Sequence, residues 1–272
     1  MRTLLVILGC AVTFQAAPVG ASGWPTPAAG ESASGDIEVL FTFDDGPNPT
    51  YTPQVLDILA KHRIQAVFFL VGEMVGNGNK KVPLILERIL RDGHVIANHT
   101  MRHKDLCRVK PEAAIEDLDR GKATIERATG VSLVWFRAPF GVRCERLDAM
   151  LAERNLRHFH WDLDPQEWRH NNVDKTVKYV TGELARAHGR AVLLLHDIKA
   201  VTVEALPQIL AWIDGENARR SKSRKRKIRI LPAPALALEQ LPPGLAAWFA
   251  DATAEARSLP ETLASVLPAR RR

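Results

Sequence analysis

From residue 37 onward, short runs of apolar and β-branched residues alternate with longer segments whose apolar positions recur every three or four residues. That alternation predicts a parallel sheet with helical crossovers. Seven strands are expected, at 38–43, 66–71, 94–97, 133–136, 157–161, 191–195 and 227–231. The first helix opens with Thr52 as N-cap and Pro53 at its first position, and buries Val55, Leu56 and Leu59. Further helices are expected at 83–91, 111–129, 144–154, 173–188 and 203–217, with Gly93, Gly130 and Gly189 as terminators.

Residues capable of chemistry fall at or just past the C-terminal ends of five strands: Asp44 and Asp45, His99, Arg137, Asp162 with Asp164, and His196. A barrel enzyme assembles its site from several strand ends in this way, whereas an open doubly wound sheet gathers ligands near one switch point. The expected fold class is therefore α/β, a distorted seven-stranded β/α barrel spanning 37–231. With 272 residues, 46% hydrophobic and 25% charged, the chain can bury such a core as one domain, and a monomer is expected.

The ends of the chain read differently. Leu4 to Phe14 is an apolar stretch after Arg2, too short to span a bilayer, and small residues follow at Val19, Gly20 and Ala21. This predicts a signal peptide at 1–21, a flexible leader at 22–36 and export to a periplasmic or extracellular compartment. Cys10 stands in a faintly lipoprotein-like setting, but the apolar stretch before it is too short and Leu8 is unusual there, so lipid anchoring is not expected. Of the other cysteines, Cys107 and Cys144 each follow a site motif; a disulfide between them and two separate thiols are both open. The extension at 232–272 carries an Ala-rich helical pattern near 245–259 and no chemical motif, and no transmembrane helix is expected.

Net charge is +6, yet the segment 219–229 alone holds eight Lys and Arg, so the remainder of the chain carries −2. The basicity is local. Such a run can grip an anionic polymer, but no aromatic residue interleaves it to stack on bases, so a solvated loop entering the last strand is expected and no nucleic-acid partner.

The acid pair Asp44-Asp45 sits between a strand and the turn residues Gly46-Pro47, so one carboxylate can coordinate a cation while the other accepts a proton from water. His99 and His103, four apart, have zinc-ligand spacing; the other histidines apart from His196, His94 among them, lack a partner motif and read as structural. Arg137 at a strand end can hold Asp44 ionised and oriented, and Pro139 fixes the turn that follows. Gly141 permits that turn to aim the Phe140 N–H at a developing oxyanion. His196 is the natural general acid for a leaving amine, Leu194 on the same strand face can line an acyl pocket, and Asp197 reads as a turn residue.

The stretches TFDDGP (42–47), HTMRH (99–103), RAPFG (137–141), WDLDPQEW (161–168) and LLLHD (193–197) occur in the order found in the polysaccharide deacetylases of carbohydrate esterase family four, which the chain resembles over 37–231. VFFLVG (67–72) and DGH (92–94) match the connecting sequence. The resemblance implies a distorted β/α barrel that removes N- or O-acetyl groups from an acetylated glycan. It makes Asp44 the base, Asp45, His99 and His103 the ligands of one divalent metal, Arg137 the residue that positions Asp44, and His196 the acid. That family usually has Asp before the last Trp of its fourth motif to tune the histidine. Glu167 stands there in this chain, with Asp162 and Asp164 as alternatives, and Trp168 would wall a sugar subsite. Two imidazoles and a carboxylate suit Zn2+, though Co2+, Ni2+ or Mn2+ can occupy such a site. A non-catalytic carbohydrate-binding protein on the same fold is the competing expectation.

Overall fold

Every residue of β1 (Ile37–Asp44) is buried, which requires cover on both of its faces. The computed structural model, which describes residues 35–235, supplies it. Ile37, Val39, Phe41 and Phe43 join the outer core against the helices, while Leu40 joins a second cluster with Val67, Phe69, Ala97, Trp135, Phe159 and Val192. Alternation along the strand puts Thr42 and Asp44 on the Leu40 side, inside the curl of the sheet.

All strand pairings are parallel. Along one edge of β1 the order is β2 (Val67–Leu70), β3 (Val95–Asn98), β4 (Trp135–Phe136) and β5 (Arg157–His158); along the other lies β6 (Arg190–His196). Past β5, Leu163 bridges Leu193 of β6, so the sheet closes on itself through an isolated bridge. Among the described residues seven strands are present, as expected, but the ring is irregular. β7 (Ile228–Ile230) pairs with Ile37, Val39 and their neighbour at the start of β1, where β6 already holds the opposite edge. It therefore extends the β2 side downward instead of standing between β5 and β6. At this lower end Glu38, 1% exposed, is bound by Arg190 at 2.9 Å and by Arg229.

The crossovers are α1 (Thr52–His62), α2 (Gly72–Val75), α3 (Val82–Arg91), α4 (Pro111–Thr129), α5 (Glu145–Glu153), α6 (Glu167–His170), α7 (Val173–Arg186) and α8 (Ala200–Lys222). Helix α3 shows why the pattern was readable: Val82, Ile85, Leu86 and Ile89, at helical spacing, are its buried residues. Helix α4 ends on Gly130 at φ 73°, as its sequence predicts. Several boundaries differ, two of them for a clear physical reason. Tyr51, not Thr52, precedes α1, because the Thr52 hydroxyl is engaged by groups outside the helix. Helix α8 runs on through Lys222 because Glu216 holds Arg219 and Arg220, each at 2.6 Å, at i+3 and i+4. The basic run therefore begins on a helix, and only its later part is the exposed loop entering β7.

Among the described residues, no helix is long and apolar enough to cross a membrane. The expected signal peptide, Cys10, all but the end of the leader, and the helical pattern near 245–259 lie outside them.

Candidate active site

Asp44 ends β1 and stands in register with His196, the last residue of β6, so adjacent strands deliver a carboxylate and an imidazole to one level of the barrel rim. Arg137 follows β4 and is completely buried inside the curl. Its Nη1 donates to Asp44 Oδ1 at 2.7 Å and to Thr42 Oγ1 at 2.8 Å. Its Nε donates to the Phe159 carbonyl at 3.1 Å and its Nη2 to the His160 carbonyl at 3.3 Å. The guanidinium also lies 3.9 Å from the centre of the Phe69 ring. Burial pushes the Asp44 carboxyl above its usual range, and Arg137 works against that push. A planar cation with several donors suits this enclosure; a lysine would leave carbonyls without donors.

Asp45, His99 and His103 converge, each offering one ligand atom, with those atoms all within 4.8 Å of one another. The chemistry of the set tests whether a cation fits. His99 Nδ1 lies 2.8 Å from the Arg137 carbonyl, which can only accept, so Nδ1 carries the proton. Burial lowers His99 to about 3, leaving the ring neutral, and Nε2 then presents a lone pair. That lone pair faces Asp45 Oδ1 at 3.5 Å, and His103 Nε2 lies 3.3 Å from the same oxygen. Asp45 Oδ1 is buried and accepts no hydrogen bond. A neutral imidazole lone pair confronting a carboxylate oxygen that accepts no hydrogen bond fits a divalent cation, and the Arg137 carbonyl supplies the outer contact that orients a ligating histidine.

The backbone around these ligands is strained. Asp45, Thr100 and His103 have φ of 73°, 70° and 52°, a region that a β-branched residue such as Thr100 rarely enters. Neighbours hold it there. Asn98 Oδ1 accepts from Thr100 N–H at 3.0 Å, Thr100 Oγ1 accepts from His103 N–H at 2.9 Å, and Asp117 Oδ1 accepts from both Met101 and Arg102 N–H at 3.0 Å. Helix α4 presses against this loop through Gly121, where a Cβ would lie 2.5 Å from the Thr100 carbonyl carbon.

His196 is held by Glu167, which opens α6 and is fully buried. Glu167 Oε1 accepts from the His196 backbone N–H at 2.7 Å, faces His196 Nδ1 at 3.0 Å, and accepts from Thr202 Oγ1 at 3.2 Å. Burial alone would lower the imidazole; the Glu167 hydrogen bond and charge outweigh it and raise His196 to about 9. The alternatives lie elsewhere. Asp162 Oδ2 accepts from Val192 N–H at 2.7 Å, and Asp164 Oδ1 accepts from Gln166 N–H at 2.8 Å.

Around the rim, Pro139 is buried in a tight turn and Phe140 is 65% exposed, its ring centre 4.7 Å from that of His103. The tight turn that Gly141 is expected to permit is present, with left-handed backbone at Gly141 (φ 68°) and also at Phe140 itself (φ 61°). Trp168, 47% exposed, stands 6.3 Å from the His196 ring, and Leu194 is buried on the strand face that His196 shares. Cys107 and Cys144 are bridged, joining the loop after His103 to the segment after Gly141. Asp197 is not a simple turn residue. It is fully buried, its carboxylate accepts from Thr52 Oγ1, and burial pushes it up to about 7. Sequence reasoning also passed over Thr42, Asn98, Asp117 and Thr202, polar residues whose partners lie in other elements; polarity inside apolar or helical runs was their only signal.

A family model for polysaccharide deacetylase matches residues 31–158. A chitooligosaccharide deacetylase of Bradyrhizobium sp. (strain ANU 289) is 39% identical over 165 residues, 60% of this chain and 72% of the relative. A peptidoglycan-N-acetylglucosamine deacetylase of Bacillus cereus (strain ATCC 14579) is 32% identical over 198 residues, 71% of this chain and 86% of the relative. Among solved structures, a T48 deacetylase with substrate is 30% identical and superposes with a TM-score of 0.62 over 75% of this chain and 92% of its own. Fold and relatives together define a hydrolase of amide bonds on a distorted β/α barrel. The chain belongs to the polysaccharide deacetylase family.

Proposed function

We propose that this chain is an exported deacetylase that removes N-acetyl groups from a glucosamine-containing glycan with one divalent cation, zinc first among the candidates. The observation that carries this reading is the meeting of the neutral His99 Nε2 and the unpartnered Asp45 Oδ1 beside the Asp44–Arg137 pair. A cation held by Asp45, His99 and His103 would supply Lewis acidity, making water easier to deprotonate and the acetyl carbonyl more electrophilic.

The chain's own groups account for the proton movements. Asp44, kept oriented by Arg137, takes the proton from the attacking water, whose oxygen bonds to the acetyl carbon. The Phe140 N–H would donate to the oxygen on which charge builds. His196, protonated at neutral pH because Glu167 raises it, gives its proton to the sugar nitrogen as the carbon–nitrogen bond breaks, and acetate and a free amine result. An amine leaves poorly without that proton, which favours an amide over an ester as substrate. Trp168 and Phe140 offer apolar faces on which sugar rings can pack, and Leu194, on the strand face that His196 shares, would line the acetyl pocket. Export is supported by the N-terminal apolar stretch of the sequence and by the Cys107–Cys144 bridge, a feature of oxidising compartments.

Acetate release from N-acetylated chito-oligosaccharides and from peptidoglycan, assayed with chelator and after zinc, cobalt, nickel or manganese is restored, tests the reading. Release that disappears with chelator and returns with metal is expected. No release from any of these glycans after reconstitution would instead support the non-catalytic, carbohydrate-binding alternative.

A further inference from the structure

Asp197 takes no part in the steps above, yet it joins the two halves of the machinery. It follows His196 directly, and its side chain reaches back to the turn after Asp44 and Asp45. A Cβ placed on Gly46 would lie 2.5 Å from Asp197 Oδ2 and 2.6 Å from Oδ1, so the carboxylate is seated against that glycine and no larger residue fits there. The same carboxylate accepts from Thr52 Oγ1, which itself accepts from Asn48 N–H at 2.7 Å. On its other side the turn is pinned by Val71 N–H, which donates to the Gly46 carbonyl at 3.0 Å. The segment from Gly46 to Thr52 is thus gripped between the end of β2 and the residue after β6.

We propose that Asp197 is a positioning residue which, through Gly46 and Thr52, sets the distance between the Asp44–Asp45 turn and His196. This rests on the reading of Asp44 as base, Asp45 as ligand and His196 as acid. The geometry has a specific requirement. Asp45 is held at φ 73°, and a turn carrying a left-handed ligand relaxes unless its flanks are fixed. The Asn48–Thr52–Asp197 relay fixes the flank that follows it. Displacing a catalytic carboxylate by about 1 Å costs on the order of a hundredfold in rate, and loosening a residue that supports a metal ligand costs roughly ten- to a hundredfold in affinity or activity.

The test compares full-length wild type, Thr52→Val, Thr52→Ser, Asp197→Ala and the Thr52→Val/Asp197→Ala double variant. Each is measured for kcat and KM on an N-acetylated chito-oligosaccharide, for zinc affinity by chelator competition, and for melting temperature. Thr52→Val keeps the shape but removes the hydroxyl, so kcat is expected to fall about tenfold or more, with zinc affinity falling too and KM within about twofold of wild type. Thr52→Ser keeps the hydroxyl and is expected to recover most of the loss, and the double variant to be no worse than Asp197→Ala alone. The proposal is overturned if Thr52→Val lowers only the melting temperature while kcat and zinc affinity stay at wild-type values, or if valine and serine behave alike. Should Asp197→Ala not fold, the valine–serine pair still decides. A wild type that releases no acetate would instead overturn the reading on which the proposal rests.

Discussion

Replacing Glu167 by Gln tests the acid arm of the mechanism most directly. Gln keeps an oxygen that can accept from the His196 and Thr202 donors but removes the charge. In the native protein Glu167 outweighs a burial that by itself lowers the ring, and raises His196 from the usual 6.5 of an imidazole to about 9. That separation corresponds to on the order of 3 kcal/mol favouring the protonated ring. Without that charge, burial is opposed only by Asp44 and Asp45, and the ring falls back toward the usual 6.5 of an imidazole. At pH 8 a group at 9 is roughly nine-tenths protonated and one at 6.5 about 3%, so protonation alone predicts about a thirtyfold loss of kcat at pH 8. At pH 6 the loss shrinks to less than about twofold by the same arithmetic. The kcat–pH profile of Glu167→Gln should therefore lose its alkaline side while its acid side changes little. A nearby cation lowers both rings, so the observable is the displacement between the two profiles. Stability should follow the same sign. A folded pKa raised above the unfolded value stabilises fully below about pH 6.5, and that contribution fades as pH rises through about 9. The melting-temperature gap between wild type and variant should thus be wide at pH 6 and narrow above pH 9. Identical alkaline limbs in the two proteins would refute this account of His196.

Asp44→Asn should retain zinc yet lose nearly all turnover, whereas Asp45→Asn should lose zinc affinity and with it turnover by on the order of a hundredfold or more; chelator competition alongside acetate release separates the two. Arg137→Met leaves Asp44 buried without its cation and should cost roughly 3–5 kcal/mol of stability, read from urea unfolding, unless Asp44→Asn is introduced with it. Cys107 and Cys144 close a loop 37 residues apart in sequence, so Cys107→Ser/Cys144→Ser should lose about 3–4 kcal/mol in the same measurement.

The strand ends could be read in advance because polar residues that terminate apolar runs have few structural reasons to be there. Asp44, His99 and His196 stand out against neighbours such as Phe43, Ala97 and Leu195, which are almost wholly buried. The helices announced themselves through spacing and through punctuation such as Gly130. What escaped was set by contacts distant in sequence. Thr52 looked like an N-cap because local chemistry allows one, but its hydroxyl is claimed by Asp197, 145 residues away. Asp197 itself looked like turn punctuation for the same reason. Closure of the sheet through Leu163 and the placement of β7 beside the start of β1 depend on how far the sheet curls, which no local pattern encodes. The pairing of Cys107 with Cys144 likewise follows from two loops packing on one cluster around Leu106, Phe136 and Leu147.

The lower end of the barrel is plugged. Glu38 with Arg190 and Arg229 sits at its base, and Leu40, Phe69, Trp135 and Phe159 fill its waist. Under the proposed chemistry, and among the described residues, this makes the enzyme a cul-de-sac: with the base filled, water, glycan and acetate would all pass by the rim. Acetate formed beneath a bound sugar then has to leave past that sugar, so a polymer that dissociates slowly would trap the small product behind it, and turnover would be limited by traffic at the mouth.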